Sequence, residues 1–209
     1  LVDEAGDLVE DPFAQAVGRD GAVILRACEQ LMAVLEDLLS AGRVVADADL
    51  RAIVDIEAAV ADVLHWHRTA AGAADVRLSS TVAPGQKVWA HPSGLRQVLA
   101  NLVGNAIVHN VPQGSVEVST ASFVGESGEA RLRVIVRDTG PGLAPEQLAR
   151  VFEPFVRYAK PSVKGTGLGL SLSRAIAERD GGTIGAESSL GTGSAFWVEL
   201  PVNEGEQDL

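Results

Sequence analysis

The chain has 209 residues, of which 46% are hydrophobic and 22% charged, and this is enough apolar material for one or two globular domains with a core. Its 28 acidic residues outnumber the 17 basic ones, and the net charge of −11 argues against a protein that clamps nucleic acid or an anionic membrane surface. The single cysteine, Cys28, excludes an intrachain disulfide framework and a zinc site held by cysteines. No apolar run reaches transmembrane length, which predicts a cytoplasmic fragment without membrane contact and leaves open an anchor elsewhere in a longer protein.

The acidic residues concentrate in the first part of the chain. Residues 1–60 hold 13 acidic and 4 basic side chains, whereas the remainder is nearly balanced. A helix is predicted over residues 20–42, because five apolar residues recur there at alternating spacings of four and three: Ile24, Cys28, Leu31, Leu35 and Leu38. The stripe fits either a lone amphipathic helix packed on its own domain or one helix of a pair. We therefore divide the chain into a helical segment at 1–45, a domain at 46–203 and an acidic tail at 204–209.

From Val44 onward the pattern alternates between short strands and helices, which predicts an α+β sandwich. Strands are predicted at 52–56, 76–82, 87–90, 116–121, 132–138, 183–187 and 195–200. Helices are predicted from about 55 to 71 and at 95–109, 145–152 and 168–179. The Pro84-Gly85 turn predicts that the second and third strands pair with each other.

The helix that contains the sequence NLVGNA carries two amides one turn apart. Gln97, Asn101, Asn105 and His109 recur every fourth residue and share the face opposite the apolar stripe. Such a pair is ordinarily only a solvated polar face. An amide oxygen is nevertheless a hard, neutral ligand that suits magnesium, which also binds phosphate oxygens.

The sequence DTGPG follows a predicted strand. Asp138 could simply begin a turn, with Gly140 and Gly142 bending the chain. Alternatively, a buried carboxylate at a strand end accepts a hydrogen bond from an exocyclic amine, while glycines let the backbone approach a flat base.

The sequence FEPF precedes a stretch of poor periodicity that contains Arg157, Lys160 and Lys164. Its aromatic residues fit a core equally well. A hydrophobic anchor followed by an irregular basic loop is also the composition of a mobile lid over an anion.

The glycine cluster GTGLGL opens the last predicted helix. Glycines at a helix start expose amide donors at the positive end of the helix dipole, which is a phosphate site. Neither common nucleotide motif fits, because no strand precedes the cluster and no Walker lysine-serine pair is present. The residues singled out here are Gly165, Thr166, Gly167, Leu168 and Gly169.

In this order, the four segments resemble the N box, first glycine box, F box and second glycine box of sensor histidine kinases. These kinases share a superfamily with gyrase, MutL and heat-shock chaperone ATPases. The sequence GTGSAFWVELP is similar to the closing glycine motif and last strand, so the resemblance covers roughly residues 53–201. It implies a Bergerat-type two-layer α/β sandwich, in which a mixed sheet lies under three helices and ATP binds between helix and lid.

Carried over by position, the resemblance implies that Asn105 ligates Mg²⁺, that Asp138 binds the adenine amine and that Ser194 supports the base through water. Arg157, Lys160 and Lys164 would hold the phosphates. Hydrolases of the superfamily carry a glutamate general base where this chain has Asn101, and a neutral amide cannot take a proton. The implied activity is therefore transfer of the ATP γ-phosphoryl group to a histidine on another helix, with Asn101 and Asn105 as the catalytic asparagines.

The resemblance also implies that residues 1–45 are the remnant of a helical dimerisation and phosphotransfer hairpin, with its second helix at about 20–42, and that residues 46–203 are the catalytic ATP-binding domain. It implies a homodimer formed through this helix and a relay of phosphate to the receiver domain of a response regulator. The acceptor box of the family, a histidine followed by an acidic residue, is missing, and we expect it upstream of Leu1. Two departures are Val108, where many relatives have lysine, and His91, where an aspartate is common. The alternatives are a regulatory module of the same fold that binds nucleotide without transferring phosphate, and an ATP-hydrolysing clamp, which Asn101 disfavours.

Overall fold

The computed structural model describes residues 50–125, 127–158 and 166–202. The helix predicted over residues 20–42 and the acidic tail lie outside them. The described elements are, in chain order, β1 (Ala52–Asp55), α1 (Ile56–Ala73), β2 (Arg77–Ser80), β3 (Lys87–Ala90), α2 (Pro92–Val108), β4 (Ser115–Val124), β5 (Ala130–Asp138), α3 (Pro145–Leu148), α4 (Gly169–Arg179), β6 (Thr183–Ser189) and β7 (Gly193–Pro201).

The main sheet has five strands in the order β2-β4-β5-β7-β6. Strands β2 and β4 are parallel, and the other neighbours are antiparallel. Strands β1 and β3 form a separate antiparallel pair. With the long helices α1, α2 and α4 packed together around a shared core, this arrangement confirms the predicted α+β fold with a mixed sheet.

The core follows from two matched periodicities. Alternate residues of β4 and β5 face inward and are almost fully buried: Val116, Val118, Leu132, Val134 and Val136. The stripe of α2 lies against them, with Leu95, Val98, Leu99, Leu102, Val103 and Ala106 all at most 5% exposed. Each buried valine or leucine in these sets stabilises the fold by about 1.5–3 kcal/mol relative to an exposed one. Burial of this stripe leaves the amide face of α2 on the side where the candidate site forms.

The predicted hairpin between the second and third strands is wrong. Strand β2 pairs in parallel with β4, and β3 pairs with β1, in the register Val54 with Val88. Six residues separate β2 from β3, and Pro84 within them has no N–H to donate. Val88 and Ala90 are fully buried, so the apolar face of β3 packs into the core, whereas β2 is a largely exposed, polar strand.

The short helix predicted through Phe152 is also wrong in its length. Helix α3 ends at Leu148, and the chain continues in turns as far as Phe155. The N–H groups of Arg150, Val151 and Glu153 each donate to the carbonyl three residues earlier, instead of the four of an α-helix. The turn at Pro154 then ends any helical continuation.

Among the described residues, no helix is both long enough and apolar enough to cross a bilayer.

Candidate functional site

A cavity of about 370 Å³ opens between the C-terminal half of α2, the loop after β5, the start of α4 and strand β7. This volume lies within the range of small-molecule sites in proteins. Its apolar walls come from Pro141, Leu143, Val151, Val156, Leu170 and Phe196. Such walls suit a flat aromatic group, with polar atoms at the two ends to orient it.

Asp138 lies at one end of the cavity, at the last position of β5, and is only 7% exposed. Its Oδ1 atom accepts hydrogen bonds from the N–H of Gly140 at 2.8 Å and the N–H of Ser194 at 3.2 Å. Burial raises the pKa of the Asp138 carboxyl, and these two N–H donors and the nearby His109 only partly offset the rise. Because both donors go to Oδ1, the Oδ2 atom is left to accept from a ligand.

Two glycines let the β6–β7 hairpin approach the loop after Asp138. A side chain at Gly193 would collide with the carbonyl oxygen of Asp138, and one at Gly142 would collide with that of Ser189. Both glycines have positive φ, 92° and 69°, which other residues rarely adopt. These close contacts bring Ser194 beside the carboxylate of Asp138.

Three hydroxyl contacts tie this hairpin together behind Asp138. The N–H of Leu143 donates to Ser188 Oγ at 2.8 Å, and Ser188 Oγ donates to the carbonyl of Gly193 at 3.0 Å. The hydroxyls of Ser188 and Ser194 are 2.9 Å apart. Ser194 also lines the cavity, so this network reaches the site through one hydroxyl.

The side chain of Asn101 is occupied by protein groups. Its Nδ2 donates to the carbonyl of Gly169 and to Ser173 Oγ, both at 3.2 Å, and its Oδ1 accepts from Gln97 at 3.1 Å. Ser173 is fully buried and itself donates to the Gly169 carbonyl. Asn101 therefore joins α2 to the first turn of α4.

Asn105 and His109 follow Asn101 along the same face and line the cavity. Within the described part of the chain, no group hydrogen-bonds to the Asn105 amide, whose oxygen remains available to a ligand. The pKa of His109 is lowered, chiefly by desolvation and further by the Arg157 charge, while Asp138 acts in the opposite direction. The imidazole therefore favours its neutral form at pH 7.

The far end of the cavity is the start of α4. Thr166, Gly167 and Gly169 line it together with Arg157 and Tyr158. The hydroxyl of Thr166 accepts the N–H of Leu168 at 3.2 Å, which holds the turn into the helix. This end combines a cation with the positive end of a helix dipole and is suited to an anion.

Most of the predicted site residues described by the structure line this one cavity. Gly140 and Leu168 do not line it, although the N–H of Gly140 orients Asp138. Lys160, Lys164 and Gly165 lie outside the described residues. The prediction omitted His109 and most of the apolar wall, although the four-residue spacing from Asn105 already indicated His109.

A family model described as histidine kinase-, DNA gyrase B- and HSP90-like ATPase matches residues 90–204. The sensor histidine kinase ZraS of Klebsiella oxytoca is 34% identical over 204 residues, which cover 94% of this chain and 42% of that protein. The histidine protein kinase DivJ of Caulobacter vibrioides is 35% identical over 196 residues, covering 91% and 32%. The chain spans less than half the length of either relative.

Solved structures give the same likeness. Full-length ShkA in complex with AMPPNP aligns with a TM-score of 0.69 at 33% identity, covering 88% of this chain and 38% of that one. The mycobacterial sensor histidine kinase MprB aligns with a TM-score of 0.63 at 26% identity, covering 73% of this chain and 97% of that one. The match to MprB spans nearly all of that structure.

Proposed function

The chain belongs to the family of histidine kinase-, DNA gyrase B- and HSP90-like ATPases, and we propose that it is the catalytic, ATP-binding portion of a sensor histidine kinase. Family membership confirms the resemblance drawn from the motifs. The observation that carries the proposal is a cavity that joins a hydrogen-bonded carboxylate, Asp138, to the start of α4 and to the amide of Asn105, to which no described residue hydrogen-bonds.

These residues suit the parts of Mg²⁺-ATP in order. Asp138 Oδ2 accepts from the adenine amine, and Ser194 supports the base. The N–H groups at the start of α4, with Arg157 and the predicted Lys160 and Lys164, bind the triphosphate. The Asn105 oxygen fits Mg²⁺, a cation that prefers oxygen ligands and neutralises phosphate charge when bound.

The proposed reaction transfers the γ-phosphoryl group of ATP to a histidine outside the described residues. The bond between the γ-phosphorus and its bridging oxygen breaks, a phosphorus–nitrogen bond forms on the imidazole, ADP leaves and the imidazole loses a proton. A receiver-domain aspartate of a response regulator then takes the phosphoryl group. The kinase acts as a homodimer. Because ATP is an intracellular substrate, the reaction takes place in the cytoplasm.

The contacts of Asn101 favour transfer over hydrolysis. Activation of water requires a group that takes up a proton, and an amide at this position has no such capacity. Both polar atoms of the amide are already bonded to Gln97, Gly169 and Ser173. Asn101 thus supports catalysis by keeping α2 and the start of α4 in place.

The test of this proposal is phosphoryl transfer to a separately supplied helical hairpin that carries an acceptor histidine. With γ-labelled ATP and Mg²⁺, we expect acid-labile label on the hairpin. Asn105→Ala is expected to lower the transfer rate at least about 10-fold because it removes a metal ligand, whereas Asn105→Asp keeps an oxygen and much of the rate. Steady phosphate release without hairpin labelling would indicate a hydrolase, and nucleotide binding without either product would indicate a regulatory module.

Acid should weaken ATP binding through Asp138. Burial raises its pKa above the ordinary 3.8, so protonation begins at a higher pH than for an exposed aspartate. With Oδ1 accepting two N–H groups, the proton lies on Oδ2 and removes the acceptor for the amine. We expect the ATP affinity to be full at pH 7 and to fall as the pH drops through this raised pKa.

This pH effect is measured by nucleotide titration at several pH values between 7 and about 4.5. The same titrations with the Asp138→Asn variant are the control. In them, His109 and the phosphates of the nucleotide still titrate, whereas residue 138 does not. An equal decline in both proteins would contradict the assignment to Asp138.

A further inference from the structure

Ser188 on β6 has a hydroxyl that is fully committed to protein partners. It accepts from the N–H of Leu143, donates to the carbonyl of Gly193 and contacts Ser194 Oγ. Ser188 does not itself line the main cavity, whereas Ser194 does. Ser188 can therefore act on a bound base in two ways, through the hydroxyl of Ser194 and through the position of Leu143, which also lines the cavity.

The direction of the Ser188–Ser194 hydrogen bond follows from counting protons. A serine hydroxyl has one proton and two lone pairs. The Gly193 carbonyl can only accept, so the Ser188 proton goes to it, and the Leu143 N–H takes one lone pair. The second lone pair remains for Ser194, and this assignment of the protons makes Ser194 the donor in the 2.9 Å contact.

With its proton committed to Ser188, the Ser194 hydroxyl presents only acceptor lone pairs to the cavity. The neighbouring Asp138 Oδ2 is an acceptor as well, because both backbone donors are bonded to Oδ1. Asp138 and Ser194 line the same cavity, and two acceptors there match the two hydrogens of an exocyclic amine, directly or through water. A purine with a carbonyl oxygen at position 6 would place an acceptor against an acceptor, which leaves buried polar groups unpaired.

We propose that Ser188 is a positioning residue that sets selectivity for 6-aminopurines by taking the hydroxyl proton of Ser194. The proposal rests on the proposed ATP-binding function and names a determinant of its base specificity. Without the Ser188 hydroxyl, Ser194 is free to turn its proton toward the cavity and donate to a 6-oxo group.

The test compares ATP with inosine triphosphate (ITP), in which an oxygen replaces the amine at position 6 and N1 carries a proton. Selectivity is the ratio of the Kd for ITP to the Kd for ATP, measured by titration with Mg²⁺. Ser188→Ala is expected to lower this ratio by about 5- to 10-fold, which is the change in affinity that one hydrogen bond typically contributes. Loss of the Leu143 contact would weaken both nucleotides alike and leave the ratio unchanged, so the ratio separates orientation from a merely structural role.

Matched variants complete the test. Thr192→Ala removes a hydroxyl of the same hairpin whose one bond among residues 50–125, 127–158 and 166–202 is to the Ser189 carbonyl, and the ratio should not change. In Ser194→Ala, a further Ser188→Ala substitution should leave the ratio unchanged, because Ser188 affects the ratio only through Ser194. If Ser188→Ala does not fold, Ser188→Cys, with a weak donor and acceptor, replaces it and should also lower the ratio.

An unchanged ratio in folded Ser188→Ala or Ser188→Cys would overturn the inference while leaving ATP binding intact. Failure of the wild-type chain to bind either nucleotide would instead refute the proposed function. The two failures are therefore distinguishable within one set of titrations.

Discussion

Asp138→Asn is expected to weaken ATP binding by about 100-fold, since a hydrogen bond to a charged group is worth up to about 3 kcal/mol. The N–H groups of Gly140 and Ser194 both need an acceptor, so the asparagine oxygen takes the place of Oδ1. Its amide nitrogen then faces the cavity, where it meets the adenine amine donor to donor. The same nitrogen can donate to a 6-oxo purine, so the ratio of the Kd for ITP to the Kd for ATP should fall as well.

The free energy of unfolding of Asp138→Asn should not fall together with the ATP affinity, and we expect it to stay the same or to rise. The pKa of Asp138 is raised in the folded protein, so the ionised carboxylate is less favourable there than in the unfolded chain. The Asp138 carboxyl therefore stabilises the folded state at low pH, and this contribution is lost as the pH rises through the folded pKa. At pH 7 the penalty for burying the ionised carboxylate is fully present. Asp138→Asn removes the charge, and its melting temperature at pH 7 should equal or exceed that of the wild type.

Calorimetric titration and thermal unfolding of the same sample check both effects of Asp138→Asn. Asp138→Ala is the matched control, because it removes the acceptor and leaves the N–H groups of Gly140 and Ser194 unbonded. We expect it to lose affinity and also melting temperature. Wild-type affinity in the asparagine variant would refute the role of Asp138 in base recognition.

The second large effect concerns Asp180, a carboxylate only 1% exposed at the C-terminal end of α4. It accepts from the backbone N–H of His91 at 2.9 Å and from His91 Nδ1 at 2.5 Å, with the Arg179 Nε atom 3.4 Å away. Asp180→Ala leaves these donors without their buried acceptor. We expect a loss of about 3–5 kcal/mol in the free energy of unfolding, or roughly 10 °C in melting temperature.

Thermal and denaturant unfolding measure this loss. Glu153→Ala is the matched control, because it breaks the Arg150–Glu153 pair, whose side chains are 61% and 49% exposed, and the loss of stability should be far smaller than in Asp180→Ala. The nucleotide affinity of folded Asp180→Ala should remain near wild type. Asn105 lies 14 residues after His91 along α2, about 20 Å away. A loss of stability no larger than that of Glu153→Ala would contradict the account.

The parts of the site that could be predicted are those with a local signature. Helical periodicity set Asn101, Asn105 and His109 apart from the apolar stripe, and all three line the cavity. A strand followed by DTGPG indicated where Asp138 lies, at the last position of β5. These features depend on residues close together in the chain, so sequence patterns record them.

The remaining features depend on contacts between distant segments. Strand β2 pairs with β4 across more than 30 residues, and His91 meets Asp180 across 89. The amide of Asn101 bonds to Gly169 and Ser173 of α4 and to Gln97, whereas no group in the described part of the chain bonds to the amide of Asn105. Nothing in the periodicity of α2 distinguishes the two asparagines, and the Ser188–Ser194 contact likewise joins side chains on two different strands.

A crystal structure of this chain grown with AMP-PNP and Mg²⁺ would show whether the nucleotide binds in the cavity as proposed. We expect the adenine amine about 3 Å from Asp138 Oδ2, and Mg²⁺ about 2.1 Å from the side-chain oxygen of Asn105. The phosphates should lie at the start of α4. A base bound away from Asp138, or a metal that bridges the phosphates without contacting Asn105, would contradict the proposed binding.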